Sequence, residues 1–225
     1  MDQTTLYVAV PQKKYIFAQA MSYREKYDYS QYETCPRCGR RLSGGKWIGE
    51  KIITVGKKKL PDFLYIAGGA DLPFLLSERA YNTLSRNGIT GIVNAEKIHK
   101  VLRNGEELTE KFFDLSVLRC DCPIDDERSK IAYAAANPER KPCDLCTPAG
   151  RIADFVFSLS FKPEVTVSAD IFTTYQTGGM LFLSERFVTV CDEYGLTGLN
   201  YQPIHRYDSA SEIFSQGEIT RLTTK

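Results

Sequence analysis

Apolar positions in this chain come mostly in runs of strand length. Such runs predict strands at Leu6 to Val10, Lys46 to Val55, Phe112 to Leu118 and Phe155 to Phe161. Helical spacing shows at two places. Ala80, Tyr81 and Leu84 mark one buried stripe, and Phe187, Val188, Cys191 and Tyr194 mark another. Each stripe follows a serine, Ser77 or Ser184, whose hydroxyl can accept from an unpaired amide of the first helical turn. Glu78 and Glu185 then favour the positive end of the helix dipole. Gly88 and Gly195 end both helices in a left-handed cap, after which the chain returns as strands at Ile89 to Val93 and Leu196 to Tyr201.

The two helical segments belong to a longer repeat. Leu75-Leu76-Ser77-Glu78-Arg79 with Gly88-Ile89-Thr90-Gly91-Ile92 lies over Phe182-Leu183-Ser184-Glu185-Arg186 with Gly195-Leu196-Thr197-Gly198-Leu199 without a gap between serine and the last apolar residue. Upstream of each stand Asp62-Phe63-Leu64 or Asp170-Ile171-Phe172, and then Gly68-Gly69 or Gly178-Gly179. The expected fold is therefore α+β, with two pseudo-repeated strand-helix-strand units and a zinc-ribbon-like knuckle pair. The expected division is 1–110 and 111–225, with one knuckle and one Ser-Glu-Arg helix each, either as two intimately packed halves or as one domain.

The knuckles are two CxxC pairs, Cys35/Cys38 in CPRCG and Cys143/Cys146 in CDLC. Such a turn curls the backbone so that both sulfurs face one ion, and two turns supply the four thiolates of a tetrahedral zinc site. Gly39 relieves crowding after the first pair, whereas Thr147 stands at that place in the second. A redox dithiol, a disulfide and unrelated buried cysteines are the competing readings. A redox CxxC normally opens a helix after a strand, and the residues from Gly39 to Gly45 do not read as one. Structural Zn2+ is the favoured reading, and a site of four sulfurs has no open position for catalysis. Cys120 and Cys122 in RCDC are the reserve ligands, and Cys191 on the second helix reads as a small core residue.

Composition narrows the function classes. With 225 residues, 43% of them apolar, the chain can bury a sizeable core, and a formal net charge of +1 gives no global field for nucleic acid or an anionic membrane. No apolar run approaches the roughly 20 residues of a membrane span. The start, Met1-Asp2-Gln3-Thr4-Thr5, has neither the basic nor the apolar region of a secretory signal, so a cytoplasmic location is expected. Phosphate-binding and metalloprotease motifs are absent from the sequence, and neither His99 nor His205 sits in a catalytic pattern. Asp125, Asp126 and Glu127 are consecutive acids on a polar excursion running from Asp121 to Lys141 and read as solvated. No enzyme is expected. A cluster at Tyr23, Tyr27, Tyr29 and Tyr32 suits either an interface or packing over the first knuckle. Lys57-Lys58-Lys59 at a hairpin tip, with Arg37, Arg40 and Arg41, supports an alternative zinc-ribbon function in nucleic-acid binding.

CPRCG, the later CDLC and the closing pattern of Asp170-Ile171-Phe172, Ser184-Glu185-Arg186-Phe187 and Gly195-Leu196-Thr197-Gly198-Leu199-Asn200-Tyr201-Gln202-Pro203 resemble the double-CxxCG immunity proteins of bacterial polymorphic toxin systems. The resemblance runs over roughly residues 30 to 206. It implies a small cytoplasmic protein that binds a cognate toxin effector domain and blocks its active site or substrate access. It also implies that Cys35, Cys38, Cys143 and Cys146 are the family's two cysteine motifs.

Overall fold

The structure is a computed structural model, and it describes residues 5–11, 16–20, 27–28, 30, 32–42, 46–56, 59–67, 74–133, 142–147, 153–177 and 180–206. The glycine pairs of the repeat, Lys57, Lys58, Tyr23 and Tyr29 lie outside the described residues.

Sixteen strands and two helices follow in the order β1 Leu6–Pro11, β2 Ile16–Ala20, β3 Tyr27–Asp28, β4 Lys46–Trp47, β5 Ile52–Val55, β6 Phe63–Ala67, β7 Phe74–Ser77, α1 Glu78–Arg86, β8 Ile92–Lys97, β9 Lys100–Arg103, β10 Glu106–Glu107, β11 Phe112–Cys120, β12 Lys130–Tyr133, β13 Ala153–Ser158, β14 Ile171–Thr174, β15 Phe182–Ser184, α2 Glu185–Glu193 and β16 Leu199–Pro203. Twelve of the strands form one sheet in the order β10-β9-β5-β2-β6-β7-β11-β14-β15-β1-β16, with β8 also paired to β11. Two short ladders, β3 with β4 and β12 with β13, stand apart from it.

The α+β expectation is overturned, because the protein is mostly β, with a nearly closed, barrel-like sheet. The described helices, one 3-10 turn aside, are two of nine residues each. The strand-helix-strand units are not self-contained either. The strand after each helix pairs with a strand from the other half of the chain, β8 with β11 and β16 with β1. Periodicity within a segment says nothing about which distant strand will cover its edge.

The exchange is reciprocal. β1 lies antiparallel between β15 and β16, with Leu6 opposite Ser184 and Tyr7 opposite Leu183 and Pro203. The first part of β11 lies antiparallel between β7 and β8, with Phe112 opposite Ser77 and Phe113 opposite Leu76 and Lys97. Each chain segment then turns to its own half. β2 runs parallel to β6, and the end of β11 runs parallel to β14.

Alternation along the strands divides their side chains between two layers. Phe63 and Tyr65 of β6, Phe74 and Leu76 of β7, Ile171 of β14 and Leu183 of β15 face a central cluster that takes in both helices. Phe63 and Phe187 meet there at 6.1 Å between ring centroids. The opposite faces feed two outer clusters. Phe112 joins Leu64, Ile66 and Leu75 in the first half, while Val8 and Val10 join Phe172 and Phe182 in the second. Each exchanged strand thus helps fill the other half's outer core.

Both helices start and stop as the sequence predicts. Ala80 and Phe187 donate their amides to Ser77 and Ser184 Oγ at 3.1 Å. At the far ends, Ile89 N bonds to Leu84 O and Leu196 N to Cys191 O, closing equivalent turns through Gly88 (φ 63) and Gly195 (φ 56). Tyr194, expected in the buried stripe, is 48% exposed.

Behind the caps lie two buried carboxylates, and each is held by both halves. Asp62 Oδ1 accepts from the Ser77 hydroxyl at 2.9 Å. Its Oδ2 accepts from Arg79 at 2.7 Å and from the amide and hydroxyl of Thr197 at 2.9 and 3.1 Å. Asp170 mirrors this arrangement. Its Oδ1 accepts from Ser184 at 2.7 Å, and its Oδ2 from Arg186 at 3.1 Å and from the amide and hydroxyl of Thr90 at 2.9 and 3.0 Å. Arg79 also donates to Tyr194 O, and Arg186 to Asn87 O and Gly88 O, the carbonyls that close the other half's helix. The Ser-Glu-Arg arginines are therefore ties between halves as well as surface charge. Gly91 and Gly198 follow the two threonines with φ of 104° and 101°. A Cβ there would lie 2.0 Å from Ile171 O or 2.2 Å from Phe63 O.

One further buried charge sits across the seam. Lys51, 6% exposed, reaches Asp114 at 2.5 Å and Glu96 at 2.8 Å beneath the Trp47 ring. Burial opposes its charge, but the Asp114 and Glu96 carboxylates outweigh that and hold its pKa above the usual lysine value.

Gly198→Ala is expected to destabilise the fold by at least ~3 kcal/mol in urea unfolding, since strain at positive φ adds to a backbone clash. Asp170 tests the carboxylate ties through pH. Burial works against its ionisation, yet Thr90, Ser184 and Arg186 pull its pKa below the usual aspartate value. Its contribution is therefore present above the unfolded pKa of about 4 and lost as pH falls through the lower folded value. Asp170→Asn should cost about 2–4 kcal/mol at pH 7, with the difference from wild type shrinking as pH approaches 3.

Candidate metal centre

The two knuckles sit on equivalent excursions. Tyr27 pairs with Trp47 and Asp28 with Lys46, closing the segment that carries Cys35 and Cys38. β12 and β13 close the segment that carries Cys143 and Cys146. In both knuckles the residue after the second cysteine donates its amide to the first cysteine's carbonyl, Gly39 to Cys35 and Thr147 to Cys143, each at 2.8 Å.

The turns then differ. Cys35 N reaches Arg40 O at 2.7 Å, made accessible by Gly39 at φ 73. Cys143 N instead returns to Thr147 O at 3.1 Å, one residue tighter. Threonine disfavours a left-handed turn, and the shorter closure avoids one.

The four sulfurs converge from segments 108 residues apart in the sequence. Cys35 Sγ lies 3.8 Å from Cys143 Sγ, Cys38 Sγ lies 3.5 Å from Cys146 Sγ, and all four fall within 4.8 Å of one another. Zn–S bonds of about 2.3 Å in a tetrahedron place sulfurs about 3.8 Å apart, so the set fits a zinc ion. Cys35, Cys143 and Cys146 are buried with Leu145, and Leu42 and Tyr175 pack against them, while Cys38 is exposed. All four are free thiols. Burial tends to raise the Cys143 thiol pKa, but the amides of Cys146 and Leu145 and the neighbouring thiols bring it down to about 7. Burial pushes Cys146 up to about 12. A divalent cation would supply the charge that lets all four thiols ionise.

Polar ties brace the outside of the centre. Arg119, at the end of β11, donates to Glu33 at 2.9 Å and to Thr174 O at 3.0 Å. Its guanidinium lies 5.9 Å from the Tyr175 ring centroid. Arg37 pairs with Asp144 across the two knuckles. Gln176 accepts from Ile124 N at 3.0 Å and donates to Asp144 O at 3.4 Å.

The remaining candidates lie elsewhere. Cys120 and Cys122 are free thiols outside the four-sulfur group, and hydrogen bonding between them lowers the pKa of Cys120 and, with burial, raises that of Cys122. Cys191 is buried in the central cluster, and desolvation pushes its thiol up to about 12. His99 is exposed and accepts from Lys51 N, and His205 is exposed in a 3-10 turn. Asp125 folds back to accept from Glu127 and Arg128 amides, so the acidic run makes a turn. Of the basic residues, Arg37 is paired with Asp144, Arg41 lies over the Tyr32 ring and Lys59 is exposed. The carboxylates at 62 and 170 were visible in the sequence only as repeated aspartates, and Lys51 carried no pattern at all.

The fold is a β-rich scaffold with a four-sulfur centre between its halves, and comparison with known families places it. The immunity protein family Imm11 matches residues 57–206. The chain belongs to this immunity protein family. The matched span contains both helices, both carboxylates and the second knuckle, and it begins after the first. No curated protein matches the chain significantly. Among the described residues no helix is long and apolar enough to cross a membrane.

Cys143→Ser is expected to release zinc from the purified protein and to lower its melting temperature. Metal analysis checks this, and unchanged zinc content in the variant would reject the ligand set.

Proposed function

We propose that this chain is a cytoplasmic immunity protein that binds a cognate toxin effector domain and neutralises it through a protein-protein interface. Membership of the Imm11 family carries this reading. Neutralisation is stoichiometric, and the protein performs no catalysis of its own. One structural zinc ion, held by Cys35, Cys38, Cys143 and Cys146, braces the scaffold. Four sulfur ligands close its coordination, so the ion pins backbone and does no chemistry on a substrate. The two CxxC motifs extend the kinship to the double-CxxCG immunity proteins of polymorphic toxin systems. A scaffold ordered before docking loses less entropy on binding, which favours tight inhibition.

Co-expression with a candidate toxin effector domain from the same genome tests the reading. The two chains are expected to copurify as a stoichiometric complex, and cells making the effector are expected to survive only when this chain is present. Absence of both the complex and the protection would overturn it.

A further inference from the structure

Contacts between the repeated elements of the two halves come in matched pairs. Cys35 meets Cys143 and Cys38 meets Cys146, each pair separated by 108 residues. Thr197 bonds to Asp62, and Thr90 bonds to Asp170. Arg79 reaches the carbonyl at the end of α2, and Arg186 the carbonyls at the end of α1. β1 enters the second half's sheet and β11 the first half's. Contacts from i to j′ matched by contacts from j to i′ relate the repeated elements of the two parts by an approximate twofold axis. The four sulfurs group around that axis, since each cysteine's partner is its own counterpart.

The ties along this relation are of two kinds. The exchanged strands and the two carboxylates are locked by sheet ladders and buried hydrogen bonds. The excursions' two-stranded ladders, marginal in isolation, are anchored in the outer clusters through Trp47, Ile131 and Val156. Among the described residues, the knuckle segments beyond them are tied to the body by Arg119 to Glu33, Gln176 to Asp144 and the packing of Leu42 and Tyr175 around the sulfurs.

We infer that the four-thiolate centre is a symmetric clasp between two equivalent halves that meet near residue 110, and that its metal docks both knuckle excursions as one unit while the exchanged strands hold the sheet without it. The inference rests on the zinc reading above. Loss of the ion therefore frees two surface segments together and leaves the body folded, which makes the shape of that face dependent on metal supply.

Hydrogen exchange on the full chain, zinc-loaded and chelator-stripped under reducing conditions, tests the inference. Stripping is expected to accelerate exchange by about tenfold or more in peptides spanning 33–42 and 142–147 alike, with peptides over 6–11, 75–77, 112–117 and 182–184 unchanged within about twofold. Cys38→Ser and Cys146→Ser should each release both knuckles, as stripping does. Response of one knuckle alone, or acceleration throughout the exchanged strands, would overturn the clasp while leaving zinc binding intact. A protein that takes up no zinc, with no peptide responding to chelator, would instead overturn the zinc reading and the clasp with it.

Discussion

Two carboxylates stand below the surface at Asp62 and Asp170, and a buried charge is tolerated only where donors surround it. Each half of this protein supplies too few. Serine and arginine come from the aspartate's own half, and the threonine amide and hydroxyl come from the other. Neither half can therefore satisfy its own aspartate, and the sheet follows the same rule. β7 and β15 gain a partner strand from the opposite half, and so do β8 and β16. The close approach that delivers each threonine leaves no room for a side chain at Gly91 or Gly198.

The cysteine centre extends the same dependence to the periphery. Its ligands come in equal number from the two excursions, whose short ladders offer little stability of their own. Apolar burial around Cys35, Cys143 and Cys146 is modest, with Leu42, Leu145 and Tyr175 as neighbours. Metal-ligand bonds are the natural means of fixing such segments, because binding free energy becomes folding free energy where the free site is loosely held. Lys51 plays a comparable part on the first half, where one buried ammonium joins Glu96 and Asp114 on paired strands.

On the proposed reading as a toxin-binding immunity protein, these features would keep its surface ordered before docking. Strand exchange removes the need for a hinge between halves, and the fold presents two related helices from one shared core. Exposed Val93 on β8 and Leu118 on the end of β11 add apolar area outside that core.

Much was fixed locally and could be read in order along the chain. Ser77 and Ser184 as caps, Gly88 and Gly195 as stops, the paired Asp and Gly-x-Thr-Gly signatures and the CxxC spacing all express preferences of a few adjacent residues, so the helices, the repeat and the candidate ligands were legible. Tertiary structure alone decided the partners. The predicted strand from Lys46 to Val55 divides into β4 and β5 in different sheets, and Tyr194 points out of a stripe that its spacing placed inside. The mostly β character and the crossing of β1 and β11 depend on edges satisfied by residues far away in sequence. A strand's own pattern reports which of its faces is buried, but not whose backbone will meet its edge.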